Sequence, residues 1–402
     1  MKFLFDNPSF SFETLRAAGF AAYGGSDLGE VLVTARAIPE GDEDSWLREW
    51  TATADRVRAI GEVALAAGHR VSAREALLRA SNYYRTAEFF RRENPAHDRQ
   101  VRMLSRRSRE TFVAAAELFD SPVEQVAIPY EDTTLPGYLF LVDDSDTARS
   151  TVIYNNGFDS TAEESWFALA AAALRRGHNV LAFDGPGQGA ALREQGLVFR
   201  PDWEAVITPV LDFALTRPEV DPTAISLFGY SLGGYLVARA AAFEHRIAAI
   251  ALDDGVYDFH GAFEAAMPPS LLSWIEERND VAATPVLTML STGDTQIRWA
   301  MHNGIWTFGA PTAAEYVRMT RQYTLAGVAD RINCPTLILD AENDQFFHGQ
   351  PQLVEKALAT APTTLITLTE AEGAGEHCHM GAMARVHQVL FDWLDETLNA
   401  DR

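Results

Sequence analysis

The stretch that most constrains this chain is Ile225-Ser226-Leu227-Phe228-Gly229-Tyr230-Ser231-Leu232-Gly233-Gly234. A short apolar run stops at Gly-x-Ser-x-Gly, and an Ala-rich helical pattern follows from Tyr235 to Phe243. Buried strand, sharp turn and helix are the context of a nucleophile elbow. Such a turn holds its serine in a strained backbone conformation, and glycine on either side removes the Cβ atoms that would clash. The Ser231 hydroxyl would then stand at the tip of a sheet, with the Leu232 amide aimed at a developing oxyanion. The plainer alternative is a tight strand-to-helix turn whose serine is idle.

The sequence around the elbow predicts an α/β fold. Val123 to Tyr130 and Gly137 to Val142 alternate like an antiparallel pair, with a turn expected around Leu135-Pro136-Gly137. Buried runs follow at 150–157, 179–183, 247–252, 335–339 and 364–368. Helical segments separate them, among them 162–176, one starting at Pro201-Asp202-Trp203, and a closing helix over 380–398. This alternation means a doubly wound, mostly parallel sheet. Between Asp254 and Pro335 lie about eighty residues of helical pattern, far more than a crossover needs, and these read as an inserted lid.

Residues 1 to about 120 read as helical. Ser45 is a candidate cap for a helix carrying Trp46, Trp50, Val57, Ile60 and Val63, which ends at Gly68. Ser72-Ala73-Arg74-Glu75 reads as a capping box opening a second helix through Tyr83, Tyr84 and Phe90. Asn94-Pro95 breaks it, and a third spans about 97–118. The aromatic residues Trp46, Trp50, Tyr83, Tyr84, Phe89 and Phe90 read as inter-helix packing, with pocket lining as the alternative. The arginines from Arg99 to Arg109 read as a solvated helix face. The chain therefore divides into a helical part (1–120), a core in two parts (121–254 and 334–402) and the lid (255–333).

A serine hydroxyl is a poor nucleophile unless a base takes its proton and an acid orients that base. In this fold the acid and then the base follow the serine, each past a strand end. After the 335–339 strand comes Asp340-Ala341-Glu342-Asn343-Asp344. Asp344 is favoured as the acid, because Asp340 is still at the strand end and reads as structural. After the last strand, Gly373-Ala374-Gly375-Glu376-His377-Cys378-His379 offers His377 as the base, with His379 as its rival. The second oxyanion donor belongs to the turn after the 150–157 strand, where the Phe158 amide is the candidate. Asp258, His260 and His302 stand as possible substrate contacts. Glu376, His377, His379 and Asp344 are ligand types that suit zinc, but they lack the helical His-x-x-x-His register and would leave the elbow unexplained. Asp184-Gly185-Pro186-Gly187-Gln188-Gly189 lacks the Gly-Lys-Ser/Thr ending of a phosphate loop and reads as a turn. The expectation is no metal and no cofactor.

Composition narrows the partners. The 402 residues carry 56 acids against 33 Lys and Arg, a formal charge of −23, which disfavours a grip on nucleic acid or anionic membrane. Two cysteines, Cys334 and Cys378, make no disulfide framework, so a reducing compartment is expected. The first residues reach Asp6 and Pro8 too early for a signal peptide, and no apolar run reaches the ~18 residues of a membrane span. A cytoplasmic protein with a small-molecule substrate is the expectation.

The residues from about 123 to 399 resemble the α/β-hydrolase fold. A closer likeness rests on Leu77-Leu78-Arg79-Ala80-Ser81-Asn82-Tyr83-Tyr84-Arg85, Gly157-Phe158-Asp159-Ser160-Thr161-Ala162-Glu163-Glu164, Phe183-Asp184-Gly185-Pro186-Gly187-Gln188-Gly189 and Gly229-Tyr230-Ser231-Leu232-Gly233-Gly234-Tyr235. With these the chain resembles the group holding dihydroxypseudooxynicotine hydrolase, fungal pigment hydrolases that shorten polyketides, and the fermentation–respiration switch esterase. The resemblance implies Ser231, Asp344 and His377 as the triad, carbon–carbon hydrolysis next to a ketone, and a homodimer. Ester or lactone cleavage, and a receptor on a hydrolase scaffold, are the alternatives. It also implies an extra acid after the sixth core strand. That region reads Asp254-Gly255-Val256-Tyr257-Asp258-Phe259-His260-Gly261, with Asp258 near and no residue matched to the role.

Overall fold

A computed structural model describes residues 2–399. Residue 1 and residues 400–402, the outer ends of the first and last segments, lie outside the described residues. Five helices come first: α1 (Pro8–Gly19), α2 (Leu28–Arg36), α3 (Glu43–Ala66), α4 (Arg70–Ala87) and α5 (Arg99–Ala116). A hairpin follows, β1 (Val123–Tyr130) and β2 (Thr133–Phe140), then β3 (Arg149–Asn155), the short α6 (Ala171–Leu174) and β4 (Asn179–Phe183). Next come α7 (Gly189–Gln195), α8 (Glu204–Ala214), β5 (Val220–Tyr230), α9 (Gly233–Ala241) and β6 (Ala249–Asp253). The insertion holds α10 (Gly261–Ala266), α11 (Pro269–Glu276), α12 (Asp280–Gly293), α13 (Thr295–Thr307) and α14 (Ala313–Thr320). The chain closes with β7 (Thr336–Ala341), α15 (Gln350–Ala357), β8 (Thr363–Leu368) and α16 (Met383–Asn399).

The eight strands form one sheet in the order β1-β2-β4-β3-β5-β6-β7-β8. The two pairings made by β2, with β1 and with β4, are antiparallel, and all the others are parallel. The strand bearing the elbow, β5, is therefore flanked by β3 and β6, and both of its faces are buried. One apolar layer, with Leu227, Leu236 and Ile250, packs toward α8, α9 and the insertion. The other, with Phe228, Leu339 and Phe391, packs toward α6 and α16. Among the described residues no helix is long and apolar enough to cross a membrane.

Local details differ from the expectation for physical reasons. The β1–β2 turn is at Glu131-Asp132, and Leu135-Pro136-Gly137 lies inside β2. Gly137 marks a close approach, since a Cβ there would sit 2.3 Å from the Ala182 carbonyl oxygen of β4. The caps sit earlier than expected: Asp42 caps α3 through the Ser45 amide, and α4 begins at Arg70, ahead of the Ser72 box. Two helices, α1 and α2, were not delimited by the periodicity. Asn7 caps α1 and Pro8 occupies its first position, where a missing N–H costs nothing. The segment 162–176 starts as a 3₁₀ turn and a π-turn before α6.

A third apolar cluster joins the first helices to the insertion. Trp46, Trp50, Tyr83, Tyr84 and Phe10 are buried in it, and Trp299 of α13 stacks on Phe89 at 4.6 Å. The Trp299 Nε1–H also donates to the Phe89 carbonyl at 2.9 Å. Each buried phenylalanine contributes roughly 1.5–3 kcal/mol, so this contact fastens α13 to the N-terminal helices above the carboxyl ends of the strands.

Candidate active site

Ser231 follows β5 with φ +59°, the strained conformation the motif requires. A Cβ on Gly229 would lie 2.2 Å from the Gly233 carbonyl oxygen, so no larger residue fits there. The backbone is further pinned by the Ser231 N–H donating to the Asp253 carbonyl and the Gly234 N–H donating to the Ser231 carbonyl. Strain of this kind persists only where neighbours over-determine it.

Ser231 Oγ lies 2.9 Å from His377 Nε2, and His377 Nδ1 lies 2.9 Å from Asp344 Oδ2. The Asp344 Oδ1 atom accepts from the Phe346 and Phe347 amides at 2.6 and 3.0 Å. The partners fix the tautomer: a carboxylate at Nδ1 takes an N–H, leaving Nε2 to accept the serine proton. Burial opposes the ionised form of Asp344, but His377 and the two amides outweigh it and hold the carboxyl well below its usual range. Asp340, by contrast, accepts from Gln352 Nε2 and Thr367 Oγ1 at 2.7 and 2.8 Å and ties β7 to its neighbours.

A second carboxylate shares the imidazole. Asp254, fully buried just past β6, places Oδ2 2.8 Å from the same His377 Nδ1. Two carboxylates this close to one another disfavour double ionisation. Burial, then the Asp344 charge, push the Asp254 carboxyl up to about 7. Of the pair, Asp344 is the member that ionises more readily. Burial lowers and the Asp344 and Asp254 carboxyls raise the basicity of His377, and the net effect is well upward. Sequence reasoning missed this role for Asp254. The available signal was its place at a strand end on the same edge as the other site residues.

His379 is not at the serine. Its Nδ1 is 2.7 Å from the Ala374 carbonyl and its Nε2 is 3.3 Å from Asp253 Oδ1, so it holds the loop from within. Burial opposes its charge, but Asp253 prevails and the ring is pushed up to about 9. The zinc grouping Glu376, His377, His379 and Asp344 does not form. The clusters that do form are Asp254-His377-Cys378 and Asp253-Asp254-His379, with ligand atoms within 4.8 Å of one another. Burial pushes the Cys378 thiol well up, which disfavours the thiolate a metal needs.

The Phe158 and Leu232 amides have no backbone or side-chain acceptor among the described residues. Gly157 brings Phe158 onto the elbow: a Cβ there would lie 2.5 Å from the Tyr230 carbonyl and 2.9 Å from Ser231 Cβ. Both amides are thereby free beside the serine.

Ser231 and His377 open onto a cavity of about 190 Å³ walled by rings that include Phe89, Phe90, Phe158, Phe259 and Trp299. Phe89 and Phe90 thus both pack and line the pocket. Asp258, His260 and His302 are not among the residues that line this cavity. Asp258 turns back to accept from the His260 amide at 2.9 Å, and His260 is buried against Thr320 Oγ1 at 2.8 Å. The charged side chains on the wall, besides His377, are Glu13, Arg16 and Asp159. Arg16 binds Asp159 and Glu164 at 3.1 and 2.9 Å, while Arg85 binds Glu164 and Glu13 at 3.0 and 3.1 Å. Burial pushes the Glu13 carboxyl up against the pull of Arg16 and Arg85.

The model of the alpha/beta hydrolase family matches residues 156–389, which hold the elbow, both carboxylates and His377. The chain belongs to this family. It is 36% identical to hydrolase acrC of Aspergillus aculeatus, covering 98% of this chain and 97% of that one. It is also 36% identical to 20-hydroxy-prefusarin hydrolase FUS2 of Gibberella moniliformis, covering 99% of each. Among solved structures, 2,6-dihydroxy-pseudo-oxynicotine hydrolase matches in fold with a TM-score of 0.76 at 24% identity, over 96% of this chain and 97% of that one. The enzyme is a hydrolase with an α/β-hydrolase core and added helical regions.

Proposed function

We propose that this hydrolase works through Ser231, His377 and Asp344 by way of an acyl-enzyme, and that its substrate is a medium-sized aromatic or polyketide-like ketone cleaved at a carbon–carbon bond. The observation that carries the reading is the continuous hydrogen-bonded chain Ser231–His377–Asp344 at the mouth of an aromatic cavity. Ser231 Oγ attacks the carbonyl carbon and gives its proton to His377 Nε2. The Phe158 and Leu232 amides receive the oxyanion. On collapse the carbon–carbon bond breaks, its electron pair leaves as an enolate, and the His377 imidazolium protonates that carbon. Water, deprotonated by His377, then releases the acyl group as an acid.

An enolate leaving group needs a proton held ready beside the base. The serine proton taken up by His377 is that proton, and the Asp344 and Asp254 carboxyls, 2.9 and 2.8 Å from Nδ1, support the imidazolium that carries it. The cavity supports a largely apolar substrate whose one polar group meets Glu13, Arg16 and Asp159.

Intact-mass labelling with a small fluorophosphonate tests the mechanism: one adduct forms in wild type and none in Ser231→Ala or His377→Ala. An adduct that survives in Ser231→Ala overturns the nucleophile. Aryl β-diketones compared with aryl esters and lactones then decide the bond, and turnover of esters alone makes the enzyme a carboxylesterase.

A further inference from the structure

A second, larger cavity of about 450 Å³ lies between α5, α7 and the loop before α6, and its character is opposite to the first. Arg85, Arg102, Arg106, Arg109 and Arg193 line it. Three acids also face it, and each is answered. Glu88 pairs with Arg92 and Arg193 at 2.7 and 2.6 Å, and Glu194 pairs with Arg109 at 2.8 Å. Glu163 accepts from the Tyr138 hydroxyl at 2.8 Å. Arg85 is held by Glu13 and Glu164.

Two guanidiniums are left over. The side chains of Arg102 and Arg106 make no hydrogen bond, ion pair or ring contact with any described residue, and the Ser105 hydroxyl between them is equally unengaged. Arg102, Ser105, Arg106 and Arg109 fall at i, i+3, i+4 and i+7, so they share one face of α5. The arginine run expected as a solvated face is exposed at Arg102 and Arg106, as read, and this stripe also borders the cavity. Like charges at i and i+4 repel and cost stability until something neutralises them. They do so in a chain of net charge −23, where carboxylate partners are plentiful and none has been placed.

We propose that this cavity is a binding site for a small dianion, a phosphate monoester or a dicarboxylate, held by Arg102, Arg106 and the Ser105 hydroxyl. The planar guanidinium fork matches both head groups through paired N–H bonds. The volume is in the range of small-molecule pockets. Nucleic acid is excluded as the occupant, because the overall negative charge repels a polyanion of that size. The Trp306 ring, stacked by Arg193 at 5.0 Å, forms an aromatic part of the wall and suits a ligand with an apolar body. The site is separate from Ser231, and it stands or falls independently of the proposed hydrolytic mechanism.

Titration calorimetry on the full chain at low salt, with phenyl phosphate and phthalate as probes, tests this. Their bodies are alike, so the comparison isolates the head group. At least one binds with a dissociation constant below about 1 mM, and added salt weakens it. Tighter phenyl phosphate assigns a phosphate ester, and tighter phthalate assigns a dicarboxylate. Arg102→Ala/Arg106→Ala weakens binding by about tenfold or more, as does the charge reversal Arg106→Glu. Arg36→Ala/Arg48→Ala, which removes the same charge elsewhere, leaves binding unchanged, and thermal melts confirm that all variants fold. The proposal is overturned if neither probe binds at about 10 mM. It is also overturned if binding survives in Arg102→Ala/Arg106→Ala, or falls equally in Arg36→Ala/Arg48→Ala.

Discussion

Removing the orienting acid of a serine hydrolase costs about 10⁴ in turnover where a single carboxylate holds the imidazole. Here two carboxyls approach His377 Nδ1: Asp344 Oδ2 accepts its hydrogen bond at 2.9 Å, and Asp254 Oδ2 makes an ion-pair contact at 2.8 Å. Asp344→Ala removes the ionised one. It also removes the charge that, after burial, does most to keep Asp254 protonated, so the Asp254 carboxyl falls from about 7 and ionises at neutral pH. Only a small turn of the ring is needed for it to take over, because Oδ2 already lies 2.8 Å from Nδ1. What it lacks is the support Asp344 draws from the Phe346 and Phe347 amides, since Asp254 Oδ1 is buried without a partner.

The expected loss for Asp344→Ala is therefore on the order of 10² in kcat/KM. Asp254→Ala alone costs less than about tenfold on an activated ester, and the double variant falls by about 10⁴. The double variant thus exceeds the two singles combined by one to two decades, about 1.4–2.7 kcal/mol of coupling. The assay is kcat/KM for an activated aryl ester at pH 8, with the rate of fluorophosphonate labelling as a second readout of the same serine. Melting curves confirm that each variant is folded. If Asp344→Ala is as inactive as the double variant, Asp254 does not orient the imidazole and the reasoning fails.

Other outcomes follow from the same geometry. The acidic limb of kcat/KM lies above the ordinary histidine value of 6.5, because burial of His377 is outweighed by the Asp344 and Asp254 carboxyls. Asp254→Asn moves that limb to lower pH, and an unmoved limb in a rate profile counts against the pairing. His387, buried between Tyr23 Oη and the Ala168 carbonyl at 2.7 Å each, is pushed down to about 4 by burial. The unfolded chain binds that proton from pH 6.5 downward and the folded one only near 4, so stability falls as pH drops through that window, by roughly 3 kcal/mol. His387→Gln, compared with wild type in urea melts from pH 7 to 4.5, should flatten the slope. Gly234→Ala would place a Cβ 1.7 Å from the Asp254 carbonyl oxygen. It should cost roughly 1–3 kcal/mol in urea unfolding and displace Asp254 from His377.

What was legible in the sequence, and what was not, divides along the range of the forces involved. The elbow is a local object: strand, strained serine and two glycines are contiguous, and their geometry needs nothing from elsewhere. Asp344 and His377 are nearly so, since each lies in a loop directly after a recognisable strand. The bounds of α1 lay within a stretch read only as helical, although Asn7 as the cap and Pro8 at the first turn mark its start. The turn misplaced at Pro136-Gly137 has a long-range cause, the backbone of β4 pressing on Gly137. Asp254 is the sharpest instance. Its place at a strand end was readable, but a carboxyl there has no meaning until β6 and the loop after β8 are packed edge to edge. Only then do two acids, distant in sequence, face one ring nitrogen, and only burial at that point raises one of them. The approach of two carboxylates to His377 is thus a property of the packed sheet edge, and substitution at Gly234, whose amide also holds the Ser231 carbonyl, should alter it as surely as substitution at Asp254 itself.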